Sequence, residues 1–311
     1  MSQQPAPRLG LDIGGTKTHG IALDAAGRVL AEQVVPTTRG AEGVVQSALD
    51  AADACLASAG IQRRDLAGVG IGVPGQVDHL TGIVRTAVNL GIDQMALGDR
   101  LAAEFGIPVA VDNDVKAAAL AAAAYLGATD LTYLNVGTGV AAATLAEGRL
   151  VRGEGNLAGE IGHIPVDPDG ERCACGQRGC LEVLVGGGGI AERLAPLAPR
   201  VELPTLFEAA AMGIPDAVVE ATRISTGIAT AVQLVVLTQG SSRVVLGGGV
   251  VHAAHGLVEE VRRVLSARAA ESEFLASLDL ADRVTVLPAD YPVAAIGAAL
   301  VGRWVADPVL G

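Results

Sequence analysis

The stretch RLGLDIGGTKTHGIAL, residues 8–23, decides the predicted fold of this chain. An apolar strand over 8–13 ends in a glycine-rich turn at 14–17, and a second apolar strand continues to residue 23. A Walker-type phosphate loop requires a helix after the turn and a longer spacing between glycine and lysine. The pattern therefore predicts a strand–turn–strand unit instead.

The turn carries residue types that suit a phosphate group. Its glycines let backbone N–H groups approach phosphate oxygens, because no Cβ intervenes, and Thr16 adds a hydroxyl donor. Asp12, at the end of the first strand, can position a magnesium ion through water. A plain hairpin turn is the alternative for a glycine pair taken alone. The candidate nucleotide-binding residues of this turn are Asp12, Gly14, Gly15, Thr16 and Lys17.

The pattern occurs again at NVGTG, residues 135–139, between apolar strands at 131–136 and 140–146. We interpret this echo as an internal duplication, in which two related halves of hairpin plus helix lie around a cleft and their glycine turns clamp a nucleoside triphosphate. A glycine run at 247–249 follows another strand and suits an adenosine group, although it also fits the simple start of a helix. The second and third candidate nucleotide sites comprise Gly137, Thr138, Gly139, Gly247, Gly248 and Gly249.

Composition favours an α/β protein. Half of the residues are hydrophobic but only 2% are aromatic, so the core must be built from Ala, Val, Leu and Ile. A chain of 311 residues is long enough for two domains. We predict helices at about 95–105 and 182–193 and a closing helix at 290–304. The predicted smaller lobe comprises residues 1–115 plus 291–311, and the larger lobe residues 116–290.

Three of the four cysteines lie in CACGQRGC, residues 173–180, downstream of His163. Three thiols and an imidazole form a complete tetrahedral ligand set for zinc. Disulfide bonds are the alternative, but three thiols leave one unpaired and a bond between positions 173 and 175 is strained. Because four protein ligands leave no open position, we predict a structural rather than a catalytic zinc site. Its ligands are His163, Cys173, Cys175 and Cys180.

Carboxylates frame the predicted metal loop, with Glu160 before His163 and Glu182 after Cys180. A closed metal site would hold both acids in fixed positions, where they can accept hydrogen bonds from the vicinal hydroxyl groups of a sugar. A solvated surface charge is the alternative for either acid alone.

The triplet Asp112-Asn113-Asp114 follows a buried strand and precedes an alanine-rich helix. Helix capping is the alternative, and it explains one of the three residues. Phosphoryl transfer needs a carboxylate that orients the attacking hydroxyl group and accepts its proton. We choose Asp114 for this role, and Asn113 can hydrogen-bond a neighbouring hydroxyl group.

Charge and hydropathy exclude several classes of partner. The formal net charge of −12 disfavours general nucleic-acid binding, because an acidic surface repels phosphate backbones. No apolar run reaches the roughly 18 residues that span a bilayer, and residues 1–8 lack the apolar region of a signal peptide. We therefore expect a cytoplasmic protein that binds neither nucleic acid nor membrane.

Taken together, these residues resemble the ROK family of repressors and sugar kinases, within the actin-like ATPase superfamily. The resemblance covers essentially the whole chain. Besides the motifs already described it includes Gly72-Val-Pro-Gly75, Asn89-Leu90, Gly159-Glu-Ile-Gly-His163 and Cys173-x-Cys-Gly-x-x-Gly-Cys-Leu-Glu182. It implies a two-lobed actin-like ATPase (ribonuclease H-like) fold around a cleft, and a homodimer.

The resemblance also implies a kinase that uses ATP with Mg²⁺ to phosphorylate a hexose on its 6-hydroxyl group, with Asp114 as catalytic base. Glucose is the expected substrate, and an N-acetylhexosamine such as N-acetylglucosamine is the alternative. His163 would serve both the zinc and the sugar. The implied sugar contacts are Asn89, Asn113, Asp114, Glu160, His163 and Glu182.

Two departures from the family pattern stand out. Lys116 stands where family kinases usually carry Asn, and this can change the sugar-side geometry or the preferred substrate. Ala141 and Ala142 stand where further glycines are usual, and they add methyl groups near the second turn. Neither departure removes an essential functional group, so activity remains the expectation.

Two rival functions come from other classes. A sugar-responsive repressor needs a helix-turn-helix domain, and we expect none here because only eleven residues precede Asp12. A catalytically silent sugar sensor that acts through protein partners is the other rival. The presence of Asp12, Thr16 and Asp114 favours the enzyme.

Overall fold

The computed structural model describes residues 6–302 of the chain. These residues form two compact units. The first comprises 6–129, 147–158 and 292–302, and the second comprises 130–146 and 159–291. The lobe boundaries predicted at 115/116 and 290/291 stay predictions, and residues 303–311 of the predicted smaller lobe lie outside the described residues.

A mixed five-stranded sheet forms the centre of the first unit. Its strands are β1 (Arg8–Ile13), β2 (Lys17–Leu23), β3 (Val29–Pro36), β4 (Gly68–Val73) and β8 (Val109–Asn113). In the order β3-β2-β1-β4-β8, the first three strands are antiparallel, whereas β1, β4 and β8 run parallel. The carboxyl ends of the three parallel strands therefore lie at one edge of the sheet. Asp12 is the last residue but one of β1, and Asn113 is the last residue of β8.

Smaller elements complete the first unit. A second, antiparallel sheet contains β5 (Gln76–Asp78), β6 (Ile83–Ala87) and β7 (Ile92–Ala96), and β11 (Arg149–Leu150) is a further short strand. The helices are α1 (Ala41–Ala59), α2 (Leu97–Phe105), α3 (Asp114–Leu126) and α12 (Val293–Val301).

The second unit contains a mixed sheet. Its central strand has an antiparallel neighbour on one side and a parallel neighbour on the other. Its strands are β9 (Leu131–Val136), β10 (Val140–Ala146), β12 (Val244–Gly247) and β13 (Val284–Val286). Its longer helices are α5 (Gly187–Leu194), α6 (Leu206–Ala211), α7 (Pro215–Gln239) and α9 (Leu257–Ala270). Its short helices are α4 (Leu181–Val185), α8 (Gly249–Ala253), α10 (Glu273–Ala276) and α11 (Leu280–Arg283).

The internal duplication predicted from the two glycine turns is confirmed by the strand topology. In the first unit, β1 pairs antiparallel with β2 across a glycine turn and parallel with β4. In the second unit, β9 pairs antiparallel with β10 across a glycine turn and parallel with β12. The α/β class is confirmed as well.

Small residues let α12 pack very closely in the first unit. A Cβ at Gly10 of β1 would lie 2.3 Å from the carbonyl oxygen of Ala295, and a Cβ at Gly297 would lie 2.0 Å from that of Ala117. Only glycine leaves room for these backbone contacts. This packing explains how a core with few aromatic side chains is filled, and it fixes α3, whose first residue is Asp114.

Three predicted elements differ from the structure. The predicted helix at 95–105 begins only at Leu97, because residues 92–96 form β7 in a sheet that the sequence did not reveal. The predicted helix at 182–193 is two helices, which meet at Gly186. The closing helix occupies Val293–Val301 rather than 290–304, and the part at 303–304 lies outside the described residues.

One described helix, α7, is long and apolar enough to cross a membrane by length and composition alone. Its side chains Ile224, Ile228 and Val232 are fully buried in the hydrophobic core of the second unit. The helix is therefore part of the core of the second unit.

Candidate functional site

The first glycine turn is a tight hairpin that brings Asn89 beside it. The N–H of Gly14 donates to the carbonyl oxygen of Lys17 at 2.9 Å. A Cβ at Gly15 would lie 3.2 Å from the Cβ and the carbonyl oxygen of Asn89. Thr16 and Lys17 are exposed at the tip of the turn. The turn thus presents backbone and hydroxyl donors to solvent, with Asn89 alongside.

Asp12 and Asp114 form a pair of interacting carboxylates in the first unit. Burial and the charge of Asp114 raise the pKa of Asp12 to about 7, and the ammonium group of Lys17 partly opposes this rise. Gly72 of β4 lies between them, since a Cβ there would be 3.5 Å from Cα of Asp114 and 3.7 Å from Oδ1 of Asp12. A divalent cation would favour the ionised form of such a pair, so these residues fit a bound magnesium ion.

The corner where β8 meets α3 holds Asn113 and Asp114. Asn113 is the N-cap of α3, because its Oδ1 accepts from the N–H groups of Val115 at 3.0 Å and Lys116 at 3.2 Å. Its Nδ2 donates to the carbonyl oxygen of Gly75 at 3.3 Å. Asp114 is the first helical residue, so its carboxylate lies at the positive end of the helix dipole.

Replacing Asp12 with asparagine is expected to stabilise the ligand-free protein at high pH. The folded state holds a proton on Asp12 up to about pH 7, whereas the unfolded chain releases it near the ordinary value of 3.8. The free energy of unfolding of the wild type therefore falls as pH rises through this window. The variant avoids this loss, so it should gain on the order of 2 kcal/mol at about pH 8 and nothing near pH 3.5.

Urea unfolding at both pH values measures this gain. Asp93→Asn, at an exposed position of β7, is the matched control and should show no gain at either pH. An equal gain at both pH values, or none at the higher one, would contradict the coupled pair.

The second glycine turn contacts Glu182 and the start of α5. The Oε2 atom of Glu182 accepts from the N–H of Val140 at 3.0 Å, and a Cβ at Gly139 would lie 2.5 Å from the same oxygen. The N–H of Gly187 donates to the carbonyl oxygen of Gly137 at 2.7 Å. The structure thus brings Glu182 to the glycine turn, a contact that the sequence did not reveal.

The third glycine run lies beside the second turn. A Cβ at Gly248, which has a φ of 95°, would be 2.4 Å from the carbonyl oxygen of Val136. Gly247 ends β12 and is paired in register with Asn135 of the parallel strand β9. Both glycine segments of the second unit therefore meet at the carboxyl ends of parallel strands, where open α/β sheets bind ligands.

Four residues of the second unit could hold a metal ion. The candidate ligand atoms of His163, Cys173, Cys175 and Cys180 all lie within 4.8 Å of one another. Sγ of Cys175 is 3.6 Å from Sγ of Cys180, and Sγ of Cys173 is 3.8 Å from Nδ1 of His163. A tetrahedral zinc ion with Zn–S bonds of about 2.3 Å separates its sulfur ligands by about 3.8 Å. The donor set and its spacing fit zinc, and none of the four cysteines forms a disulfide.

Glu160 and His163 lie on a segment packed against β10. The N–H of Ala142 donates to the carbonyl oxygen of Gly159 at 2.8 Å, and a Cβ at Gly162 would be 2.1 Å from the carbonyl oxygen of Val140. Since Glu182 also contacts Val140, the three predicted sugar-binding residues of the second unit lie on segments that meet the start of one strand.

Arg152, which the sequence did not single out, lies next to the candidate site. Its guanidinium group binds both carboxylate oxygens of Asp112, at 2.8 and 3.1 Å, and Asp112 is fully buried next to Asn113. The partners are far apart in the chain, so no local pattern pairs them. One indication of a partner was present in the sequence: Asp112 was the residue of the triplet 112–114 that had no assigned role.

The sequence profile of the ROK family matches residues 8–300 of the chain. A glucokinase from Halalkalibacterium halodurans is 38% identical over 59% of this chain and 57% of its own length. A putative xylose repressor from Caldicellulosiruptor sp. is 31% identical over 56% of this chain and 45% of its own length. The chain thus spans about half the length of these two relatives. An N-acetylmannosamine kinase from Citrobacter koseri is 31% identical over 83% of this chain and 88% of its own length.

Two solved structures resemble nearly the whole chain. A ROK hexokinase from Thermus thermophilus has a TM-score of 0.78 at 30% identity, and the match covers 96% of this chain and 98% of that one. A ROK family glucokinase from Streptomyces griseus, solved in complex with glucose and AMPPNP, has a TM-score of 0.76 at 29% identity over 96% of this chain and 99% of that one.

Proposed function

The chain belongs to the ROK family, and from this premise we propose that it is an ATP-dependent kinase that phosphorylates a hexose on its 6-hydroxyl group, with glucose as substrate. The observation that carries the proposal is the pairing of Asp114, at the start of α3, with Asp12, at the first glycine turn. The carboxylate of Asp114 can take a proton from a hydroxyl group, while that of Asp12 can hold a magnesium ion beside the phosphates.

The roles proposed for the first unit follow from its geometry. Asp114 accepts the proton of the attacking 6-hydroxyl group, and Asn113 and Asn89 bind neighbouring sugar hydroxyl groups. The turn formed by Gly14, Gly15, Thr16 and Lys17 binds phosphate oxygens. Asp12 would hold Mg²⁺, which supplies positive charge to the phosphates when it is bound.

The roles proposed for the second unit are phosphate, adenosine and sugar binding. The turn at 137–139 binds phosphate, and the glycine run at 247–249 allows an adenosine group to approach the backbone. Glu160, His163 and Glu182 bind sugar hydroxyl groups. A carboxylate accepts several hydrogen bonds, so Glu182 can bind a hydroxyl group while its Oε2 keeps the N–H of Val140.

We propose that His163, Cys173, Cys175 and Cys180 hold a structural zinc ion. All four ligands come from the protein, and Cys173 and Cys180 are buried. Cys180 directly precedes α4, whose second residue is Glu182, so the metal would fix the helix that carries this acid.

A hexosamine kinase is the second candidate. The N-acetylmannosamine kinase match extends over far more of both chains than the glucokinase match does. The substituent at the sugar's 2-position distinguishes the two substrate classes. A regulator without catalysis is the third candidate, because the family also contains repressors. The net charge of −12 opposes DNA binding by this chain.

We further propose a soluble homodimer that acts in the cytoplasm on a small-molecule hexose. The burial of α7 in the core of the second unit supports solubility, and the acidic net charge supports the absence of nucleic-acid partners.

A coupled assay of ADP release over a panel of sugars tests the proposal. The panel is glucose, mannose, N-acetylglucosamine and N-acetylmannosamine, with ATP or polyphosphate as donor. We expect kcat/KM for glucose with ATP to exceed that for each hexosamine by about tenfold or more, since a wrong 2-substituent leaves polar groups unpaired. A higher value for a hexosamine would select the second candidate. Sugar binding without ADP release would select the regulator.

A further inference from the structure

We propose that Lys116 is a positioning residue for the catalytic carboxylate and that, with Asp112 and Arg152, it holds the segment 152–158 against the corner where β8 meets α3. We call the side chains of Asp112, Lys116 and Arg152 the latch. The inference rests on the proposed function, because it takes Asp114 as the base.

Lys116 occupies a place that is costly for a lysine. The residue is only 3% exposed, and it lies in the first turn of α3. A cation there opposes the helix dipole, and burying an ammonium group removes its hydration. Lys116 is unfavourable both for the helix dipole and for hydration, and it follows Asp114 of the interacting carboxylate pair by two residues. Such a locally unfavourable residue points to a role in the site.

The ammonium group of Lys116 binds the backbone of the segment 152–158. Its Nζ donates to the carbonyl oxygens of Asn156 at 3.0 Å and Ala158 at 3.3 Å. Gly153, Gly155 and Asn156 all have left-handed backbone conformations, with φ values of 66°, 62° and 64°. Glycine and asparagine are the residues that adopt this conformation most readily, so the segment can turn sharply here.

Arg152 joins the same segment to β8. It binds both carboxylate oxygens of Asp112 and also donates to Oδ1 of Asn156 at 3.2 Å. The Nδ2 atom of Asn156 donates in turn to the carbonyl oxygen of Val77 at 2.8 Å. The segment is therefore attached to the end of the strand as well as to the start of the helix.

Asp114 lies between the two attachments. Asp112 precedes it by two residues and Lys116 follows it by two, and both bind the segment 152–158. Oδ1 of Asp112 also accepts from the N–H of Asn113 at 2.8 Å. A shift of this corner would stretch these contacts. Because a displacement of about 1 Å can cost about 100-fold in rate, the latch should act on kcat.

A purely stabilising role makes a different prediction. Removing one partner of a buried charged contact destabilises the folded state. If the latch only stabilised the fold, Lys116→Met would change the fraction of folded protein and leave the kcat of the folded fraction unchanged. A positioning role lowers kcat per folded molecule and leaves the KM for sugar nearly constant.

The kinetic test compares the full-length wild type with Lys116→Met, Lys116→Arg and a control. We expect Lys116→Met to lower kcat at least about tenfold with sugar KM within about threefold, and Lys116→Arg to recover most of the loss. Arg268→Met is the control, because it removes hydrogen bonds to Gln233 and Thr230 in the second unit. Its kcat should equal that of the wild type. A kcat of Lys116→Met within twofold of the wild type would overturn the proposal.

Amide hydrogen exchange separates this proposal from the proposed function. In Lys116→Met, exchange of the amides at 113–116 should be at least about tenfold faster than in the wild type, whether or not the protein phosphorylates a sugar. Unchanged exchange would overturn the latch. A wild type that phosphorylates no sugar would instead refute the proposed function. If Lys116→Met does not fold, Arg152→Lys carries the same expectations for kcat and exchange, because a lysine cannot bind both oxygens of Asp112.

Discussion

Asparagine in place of Asp114 is expected to lower kcat for hexose phosphorylation by about 10³-fold while sugar affinity stays within a few-fold of the wild type. An amide cannot take the proton of the attacking hydroxyl group, although it has almost the shape of a carboxylate. The Oδ1 atom of Asp114 accepts from the N–H of Val115 at 2.9 Å, and the amide oxygen can keep this bond. The start of α3 is therefore retained. ADP release measures kcat, and calorimetry with the sugar alone measures affinity.

Asp93→Asn makes the same chemical change at an exposed residue of the first unit and should leave kcat unchanged. A second consequence is independent of catalysis. Because the charge of Asp114 helps to raise the pKa of Asp12 to about 7, its removal should lower the pKa of Asp12, which NMR titration can follow. Activity of Asp114→Asn near that of the wild type would remove Asp114 from the mechanism. An unchanged pKa of Asp12 would show that burial alone raises it.

The duplicated glycine turns were predictable because both turns are local. The residues at 12–17 and at 135–139 predict a tight turn between apolar strands. The strands on either side of each turn pair as expected. The parallel neighbours of β1 and β9 follow from the same duplication. The capping alternative for the triplet 112–114 also describes Asn113 correctly, since its side chain caps α3.

Contacts between distant parts of the chain were not predictable from one sequence. The ion pair between Asp112 and Arg152 joins a strand to a segment that has no regular pattern. The bond from Val140 to Glu182 depends on how the metal loop and α4 fold against β10. The strands β5 and β7 are short, and the apolar residues before Leu97 fit a helical period equally well. Local periodicity carries no information on such pairings.

Serine in place of Cys180 should remove the proposed zinc ion and damage stability and sugar binding together. A hydroxyl group is a poor zinc ligand, and Cys180 is fully buried, so no outside group can replace it. The free energy of metal binding is part of the folding free energy, and a loss of several kcal/mol should lower Tm by about 10 °C. The N–H of Leu181 donates to the carbonyl oxygen of Ile164 at 3.0 Å, so disorder of the loop would reach Glu182. We expect sugar KM to rise about tenfold.

Cys55→Ser is the matched control. Cys55 is also fully buried, but it lies in α1 of the first unit, where its Sγ contacts the carbonyl oxygen of Ala31 at 3.4 Å. The control should keep its metal content and its sugar KM. Metal analysis of the purified proteins, thermal unfolding and the ADP-release assay measure the three quantities. Wild-type protein without zinc would refute the metal site. A zinc-free Cys180→Ser with unchanged sugar KM would show that the metal stabilises its loop without positioning Glu160, His163 and Glu182 for the sugar.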